Sequence, residues 1–232
     1  MTVSQPSPPS DGTRVVLKDL ILRLSVANHA PPTLNLGFLQ GAGIISGDWA
    51  LAQEAICSPE GAQLVFDNGL ILLAQGQILS GQERLDTPAA AAPQLAELLA
   101  RYCQALPRLA YQGLQTVLRA VILYENDPEG ASRTLRERLL QPGDWQTIGQ
   151  EPMQATLQFA YRLEDQTLTL TVAPAEVRQE GEPFGSALVF AAAFEQQVLE
   201  GERLPQIQGM LRGWTGRRDQ LLEWITTRFK LP

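Results

Sequence analysis

One histidine, two cysteines and a scatter of carboxylates are all that this chain offers for chemistry. His29 stands alone in a proline-rich loop. A single histidine cannot build a His-rich metal site. It can work as a lone general base only where a carboxylate orients it; otherwise a loop histidine is a solvated side chain. Cys57 and Cys103 lie 46 positions apart, without Cys-x-x-Cys spacing. A chain of 232 residues buries a sizeable core without a staple. Two reduced, buried thiols are therefore expected, with a disulfide between them left open. Glu180 and Glu182 sit close in sequence, but in a Gly/Pro loop. Paired carboxylates need burial to split their pKa values, and a solvated loop does not provide it. There is no Gly-x-Ser-x-Gly elbow and no His-Glu-x-x-His. No catalytic residue, metal or cofactor is assigned.

Gly37-Phe38-Leu39-Gln40-Gly41-Ala42-Gly43 resembles a phosphate loop only in its glycine count. A phosphate loop needs Lys-Ser/Thr after it and a helix N-terminus behind it. Here Ile44-Ile45-Ser46 follows. Gly37, Gly41, Gly43 and Gly47 also break the dinucleotide-binding spacing. The stretch reads as a flexible loop within a longer Gly/Pro-rich segment, 28–47.

Charge supplies the one asymmetry. The whole chain carries −7, and its only lysines are Lys18 and Lys230. Residues 203–232 carry a net +4, which leaves −11 on the other 202. Within them, Arg212, Trp214, Arg217 and Arg218 cluster around two glycines. Arginine forks beside an indole can grip carboxylates, phosphates or an aromatic group. These four residues are the candidate protein-binding site. The competing reading pairs the arginines with the acidic body of the same molecule. An acidic chain repels phosphate backbones and anionic lipid, so nucleic acid is disfavoured and an acidic protein surface favoured as partner.

The elements that would position these residues follow from periodicity. Leu20, Leu22, Leu24 and Val26 alternate along a strand at 14–26. Strands follow at 62–67 and 70–79, joined by Asp67-Asn68-Gly69. Pro93 opens a helix whose stripe is Leu95, Leu98, Leu99, Tyr102 and Leu106. The apolar run 113–125 is expected to be a strand buried on both faces for much of its length. Asp127-Pro128 marks an N-cap and a helix of about three turns, ending near Pro142-Gly143. Alternation returns at 155–163, 168–172 and 188–194, the last after another Gly/Pro loop. A helix from 203 is expected to break at Gly213 and Gly216, with Asp219 capping its last piece.

Gly47-Asp48-Trp49 recurs as Gly143-Asp144-Trp145, with Gln53-Glu54 and Gln150-Glu151 following. A shared tripeptide means little alone. The order of predicted elements after each copy agrees only if the helix at 93–106 is an insertion. Each copy reads as a turn whose indole plugs a core edge; matched ligand-contacting loops are the functional alternative.

The Gly-Asp-Trp turn, Tyr111-Gln112-Gly113 opening a long strand, and a C-terminal helix ending near Phe229 together resemble uncharacterised bacterial proteins, cyanobacterial ones among them, with a strand-rich half and a strand–helix half. The resemblance spans much of the chain as a pattern of elements. It implies no activity and no site residue.

The expected fold is α+β: mainly antiparallel sheet with helices packed on one face, and two related halves as an open reading. A disordered tail at 1–12, a first half at 13–142 and a second half at 143–232 are expected. The N-terminus has no secretory signal pattern and no run approaches a membrane span, so the cytoplasm is the expected location. The function expected is a non-catalytic protein-binding, assembly or regulatory role. The alternatives are a small enzyme or RNA-processing protein using His29 or a carboxylate as base, and a small-ligand sensor with a pocket between the halves.

Overall fold

The computed structural model describes residues 15–86, 93–150, 153–179 and 182–231. The tail at 1–12, most of the linker at 86–92, Glu151 and Glu180 lie outside them. One antiparallel sheet organises the rest. Its strands are β1 (Val15–Val26), β2 (Ile56–Cys57), β3 (Gly61–Val65), β4 (Ile71–Gln75), β5 (Ile78–Arg84), β6 (Tyr111–Glu125), β7 (Leu157–Arg162), β8 (Thr167–Gln179) and β9 (Glu182–Gln197). The order across this nine-stranded sheet is β2-β3-β4-β5-β1-β6-β9-β8-β7.

The strand alternations place one buried row. Leu22 sits opposite Gly81 on β5 and opposite Thr116 on β6. Leu118 faces Ala192, and Ala192 faces Leu170. All of these apolar positions join a single core with Leu95, Leu99, Ile207, Leu211 and Leu221 from the helices. Burial of that row is the main stabilising term, at about 25 cal/mol per Å² removed from water.

The helices are α1 (Leu36–Gly41), α2 (Leu95–Ala105), α3 (Gly130–Thr134), α4 (Arg203–Arg212) and α5 (Trp214–Glu223). They form a cap more than a complete second layer: α2 meets β5 and α4, α4 and α5 meet β6, and α3 meets β8 and β9. Among the described residues, no helix is long and apolar enough to cross a membrane.

Several expectations are corrected. The segment at 28–47 is not all loop: it holds α1, because the Phe38 N–H donates to Asn35 Oδ1 at 2.8 Å and Leu39 enters the core. The expected strand at 70–79 is two strands, because Gly76 at φ +54° turns the chain between Gln75 and Ile78. The second Gly/Pro loop is largely strand, with Gln179 opposite Glu182. Strand β6 is buried on both faces at Gly113–Leu114 and Ala120–Ile122, not for most of its length; Gln112 and Arg119 are exposed. Helix α3 is short and runs into a wider turn at Leu135–Leu139. Asp127 does not cap it. Ser186 of β9 does: it accepts from the Ala131 N–H at 3.0 Å and donates to the Asp127 carbonyl at 2.7 Å. The C-terminal helix breaks at Gly213 alone, and Gly216 and Asp219 lie inside α5.

Other expectations hold. The Asp67-Asn68-Gly69 turn joins β3 to β4, with Gly69 at φ +82° and Asn68 Oδ1 accepting from the Leu70 N–H at 3.0 Å. Helix α2 buries Leu95, Leu98, Leu99 and Tyr102 of the predicted stripe, while Leu106 is its half-buried C-cap. Its first N–H groups, Gln94 and Leu95, donate to the Glu83 carboxylate, each at 2.9 Å.

Candidate functional site

His29 is not a solvated loop side chain. It is 8% exposed, and its Nε2 lies 2.7 Å from the Tyr102 hydroxyl of α2. Phe38 of α1 packs edge-on against the same tyrosine at 5.8 Å. His29 Nδ1 has no hydrogen-bond partner, and no carboxylate orients the ring among the described residues. Desolvation lowers the His29 pKa below 6.5 and raises that of Tyr102. Near neutral pH the pair is therefore uncharged. The only sequence signal for this burial is Tyr102 itself, a phenol on the apolar stripe of α2 that needs a polar partner.

The cysteines are both free. Cys103 is buried in α2, and desolvation pushes its thiol up to about 12, so it is a poor nucleophile. Cys57 is exposed on the edge strand β2, which corrects the expectation of two buried thiols. Glu182 opens β9. Among the described residues, no group of three His, Cys, Asp or Glu gathers to hold a metal.

The arginine–tryptophan segment divides into an inward and an outward part. Trp214 and Arg217 are buried at the start of α5. The Arg217 guanidinium donates to Gln166 Oε1 at 3.0 Å, Thr116 Oγ1 at 3.3 Å and the Met210 carbonyl at 3.0 Å, and also to Gln196 Oε1. It ties α4 and α5 to strands β6 and β9 and to the β7–β8 turn. Burial lowers its pKa, and the charge of Asp165 opposes that shift. Arg218 lies over the Trp214 ring at 5.6 Å and pairs with Asp219 at 2.8 Å. Arg212 ends α4 exposed, with no hydrogen bond or ion pair among the described residues. The four side chains therefore do not converge on one surface.

The two Gly-Asp-Trp turns occupy matching places in the element order. One lies between α1 and the β3–β5 meander, the other between α3 and the β7–β9 meander. Their indoles behave differently. Trp49 is half-buried and meets Phe66 edge-on at 5.1 Å. Trp145 is 47% exposed, and Ile148 beside it is 86% exposed.

Two of the concavities among the described residues border the sheet rows discussed above. A groove of about 630 Å³ lies where β4, β5, β1, β6 and β9 run side by side. Arg23 of β1 donates to Gln115 of β6 at 2.9 Å, and Gln115 donates to Glu195 of β9 at 2.6 Å. Leu73 and Ile78, 38% and 40% exposed, form its apolar flank. A second pocket, about 360 Å³, lies between the β7–β8 hairpin and the C-terminal turn Trp224–Arg228. Leu168 and Leu170 form its floor, and Arg228 is its only charged residue.

No protein-family model matches this sequence, and no curated protein matches it.

Proposed function

We propose that this is a non-catalytic protein-binding protein of the cytoplasm that presents the side of its sheet away from the helical cap. The carrying observation is the uncovered row on that side. Ile21, Arg23, Gln115, Val117, Ala191 and Ala193 alternate with the core row and stay half-buried or exposed, and Leu73 and Ile78 stand out beside them. A broad, fixed surface that mixes aliphatic side chains with a polar chain suits another protein better than a small substrate. The internal use of His29 and Cys103 supports a role without catalysis. Arg212 and Arg218 are the outward cations of the four candidate residues; they lie on the helical cap, apart from this face, and offer a second contact that favours an acidic surface.

The same reading takes the fold as two related halves. Strand, short helix, three-strand meander and helix occur as β1, α1, β3–β5, α2 and again as β6, α3, β7–β9, α4. Apart from the edge strand β2, which has no counterpart, the sheet order is mirrored about the β1–β6 pair. On this reading α2 corresponds to α4, no insertion is needed, and the division falls at 106–110 instead of at 143.

The test is capture of partner from native lysate by the full chain. Leu73→Asp with Ile78→Asp should abolish capture while the far-UV spectrum and melting temperature are kept. Arg212→Glu with Arg218→Glu, which alters only the second contact on the cap, should weaken it less. Undiminished capture by the Leu73/Ile78 variant would overturn the sheet-face reading. Deleting 203–232 is a poor test, because it removes Ile207, Leu211, Trp214, Leu221 and Ile225 from the core.

A further inference from the structure

We propose that the apolar pocket beside the β7–β8 turn binds a free aromatic carboxylic acid, a ring of phenyl or indole size with its carboxylate on Arg228. Phe66 and Leu163 hold similar positions: each directly follows a strand, β3 or β7, and donates its N–H across the turn, Phe66 to Leu70 at 2.9 Å and Leu163 to Gln166 at 2.8 Å. Trp49 covers Phe66. Trp145, at the matching place in the chain, is 47% exposed and packs on no other ring among the described residues. Beside Leu163 the structure holds the 360 Å³ pocket, lined by that residue, Tyr161 and the C-terminal aromatics. An indole-sized space is filled from within at one end and open at the other.

The pocket is preformed. Trp224 stacks on Phe194 at 6.1 Å, and Phe229 meets Phe190 at 5.3 Å and Phe159 at 6.1 Å. These contacts fix the walls before a ligand arrives, which lowers the ordering cost of binding. Leu168 and Leu170 give a dry floor. The volume lies at the low end of the roughly 300–1,000 Å³ range of small-molecule sites, which favours one or two rings. Aromatic walls reward a flat ring through offset and edge-to-face contact.

Arg228 selects the charge. It is exposed at the mouth and makes no hydrogen bond or ion pair among the described residues. A guanidinium beside an apolar cavity matches a carboxylate bidentately. Lys230, two residues on, is also exposed and adds positive potential. This site lies on the core side of the sheet, so it does not depend on the protein-binding reading and can fail without it.

The experiment titrates the full chain with indole-3-acetate, indole, decanoate and the peptide acetyl-Glu-Trp-Glu-amide. Binding is followed by the Trp224 indole N–H resonance, assigned with Trp224→Phe. Indole-3-acetate should give a saturable shift, and indole should bind at least tenfold more weakly. Arg228→Gln, a surface change that leaves the core intact, should weaken the acid about tenfold, in keeping with loss of one charged hydrogen-bonded contact. Leu163→Trp, which fills the pocket, should abolish the shift. Four results would overturn the proposal: no saturation with indole-3-acetate, equal binding by Arg228→Gln, tighter binding of decanoate, or tighter binding of the peptide. Binding that appears only in Trp145→Ala would also overturn it, because the pocket would then belong to the chain's own turn.

Discussion

The two ends of the sheet share an order of strand, short helix, antiparallel meander and helix, and they are packed to different degrees. At the β3–β4 end, α1 and the turn after it fold inward. Leu34, Leu39, Ile44 and Ile45 enter the core, and Trp49 closes over Phe66. At the β7–β8 end, the turn that follows α3 and its wider last turn stays out, with Ile148 in solvent and Trp145 about half exposed. The C-terminal turn reaches this end instead, through Phe229 on Phe159 and Phe190. It covers the floor incompletely and leaves a cavity. The difference teaches that an identical tripeptide does not fix the fate of its side chains. What decides is the apolar content of the neighbouring segment: Leu-Gly-Phe-Leu before the first turn, Arg-Glu-Arg-Leu-Leu-Gln before the second. The first gives the chain a reason to dock; the second keeps more of it in water.

The sharpest way to break this contrast is to remove each indole. Trp49→Ala should cost about 3 kcal/mol of unfolding free energy, in the usual range for deleting a packed aromatic side chain. Trp145→Ala should change stability by less than about 0.5 kcal/mol, as exposed positions do. Urea denaturation of both variants measures this directly, and equal costs would remove the distinction.

The next largest effect lies at the C-terminal segment. Arg217→Met should cost about 2 kcal/mol, because Thr116, Gln166, Gln196 and the Met210 carbonyl lose a shared donor in a part-buried site. Arg218→Met, which disturbs a more exposed pair, should fall within about 1 kcal/mol. A reversed order in thermal melts would mean that the inward arginine is dispensable.

Smaller effects are expected at the tertiary caps. Glu83→Ala at α2 and Ser186→Ala at α3 should each lose about 1 kcal/mol. Hydrogen exchange should show the loss first at the Gln94 and Leu95 amides in one variant and at the Ala131 amide in the other.

The mildest prediction concerns pH, and it belongs to the first end alone because His29 is the only histidine. Its folded-state pKa lies below 6.5, so the unfolded chain takes up its proton first as pH falls. Its contribution to stability is complete above pH 6.5 and declines as pH drops from 6.5 toward the folded-state value. His29→Gln should flatten the stability profile across that window. An unchanged slope would place the pH dependence on other groups.

Much of the fold was legible in the chain, and the reasons are local. Strand β1 follows from the alternation of Leu20, Leu22, Leu24 and Val26. The β3–β4 hairpin follows from Asn68-Gly69, and α2 from its apolar stripe. Where the reading missed, a distant partner was responsible. Gln75-Gly76-Gln77 gives a weak turn signal, and only pairing of Gln75 with Ile78 shows the chain reversing there. Asp127-Pro128 carries the local signature of a cap, but Ser186 supplies the bonds from β9. Arg217 and Trp214 share a charged stretch with Arg212 and Arg218, and charge patterning cannot distinguish them. Helical geometry turns Arg217 toward Thr116, 101 positions away in the chain, and leaves Arg212 outside.

By itself the sequence determined the α+β class, the alternating rows that face the core, and the shortage of groups for chemistry. Those properties come from residue type and short-range period, which need no partner to be read. Tertiary structure decided which His, Cys, Trp and Arg side chains are consumed internally. It also decided that Trp49 packs on Phe66 while Trp145 stays half in solvent, and that a pocket is left beside Leu163. Burial at a given position depends on what the rest of the chain brings to it, and no local spacing encodes that.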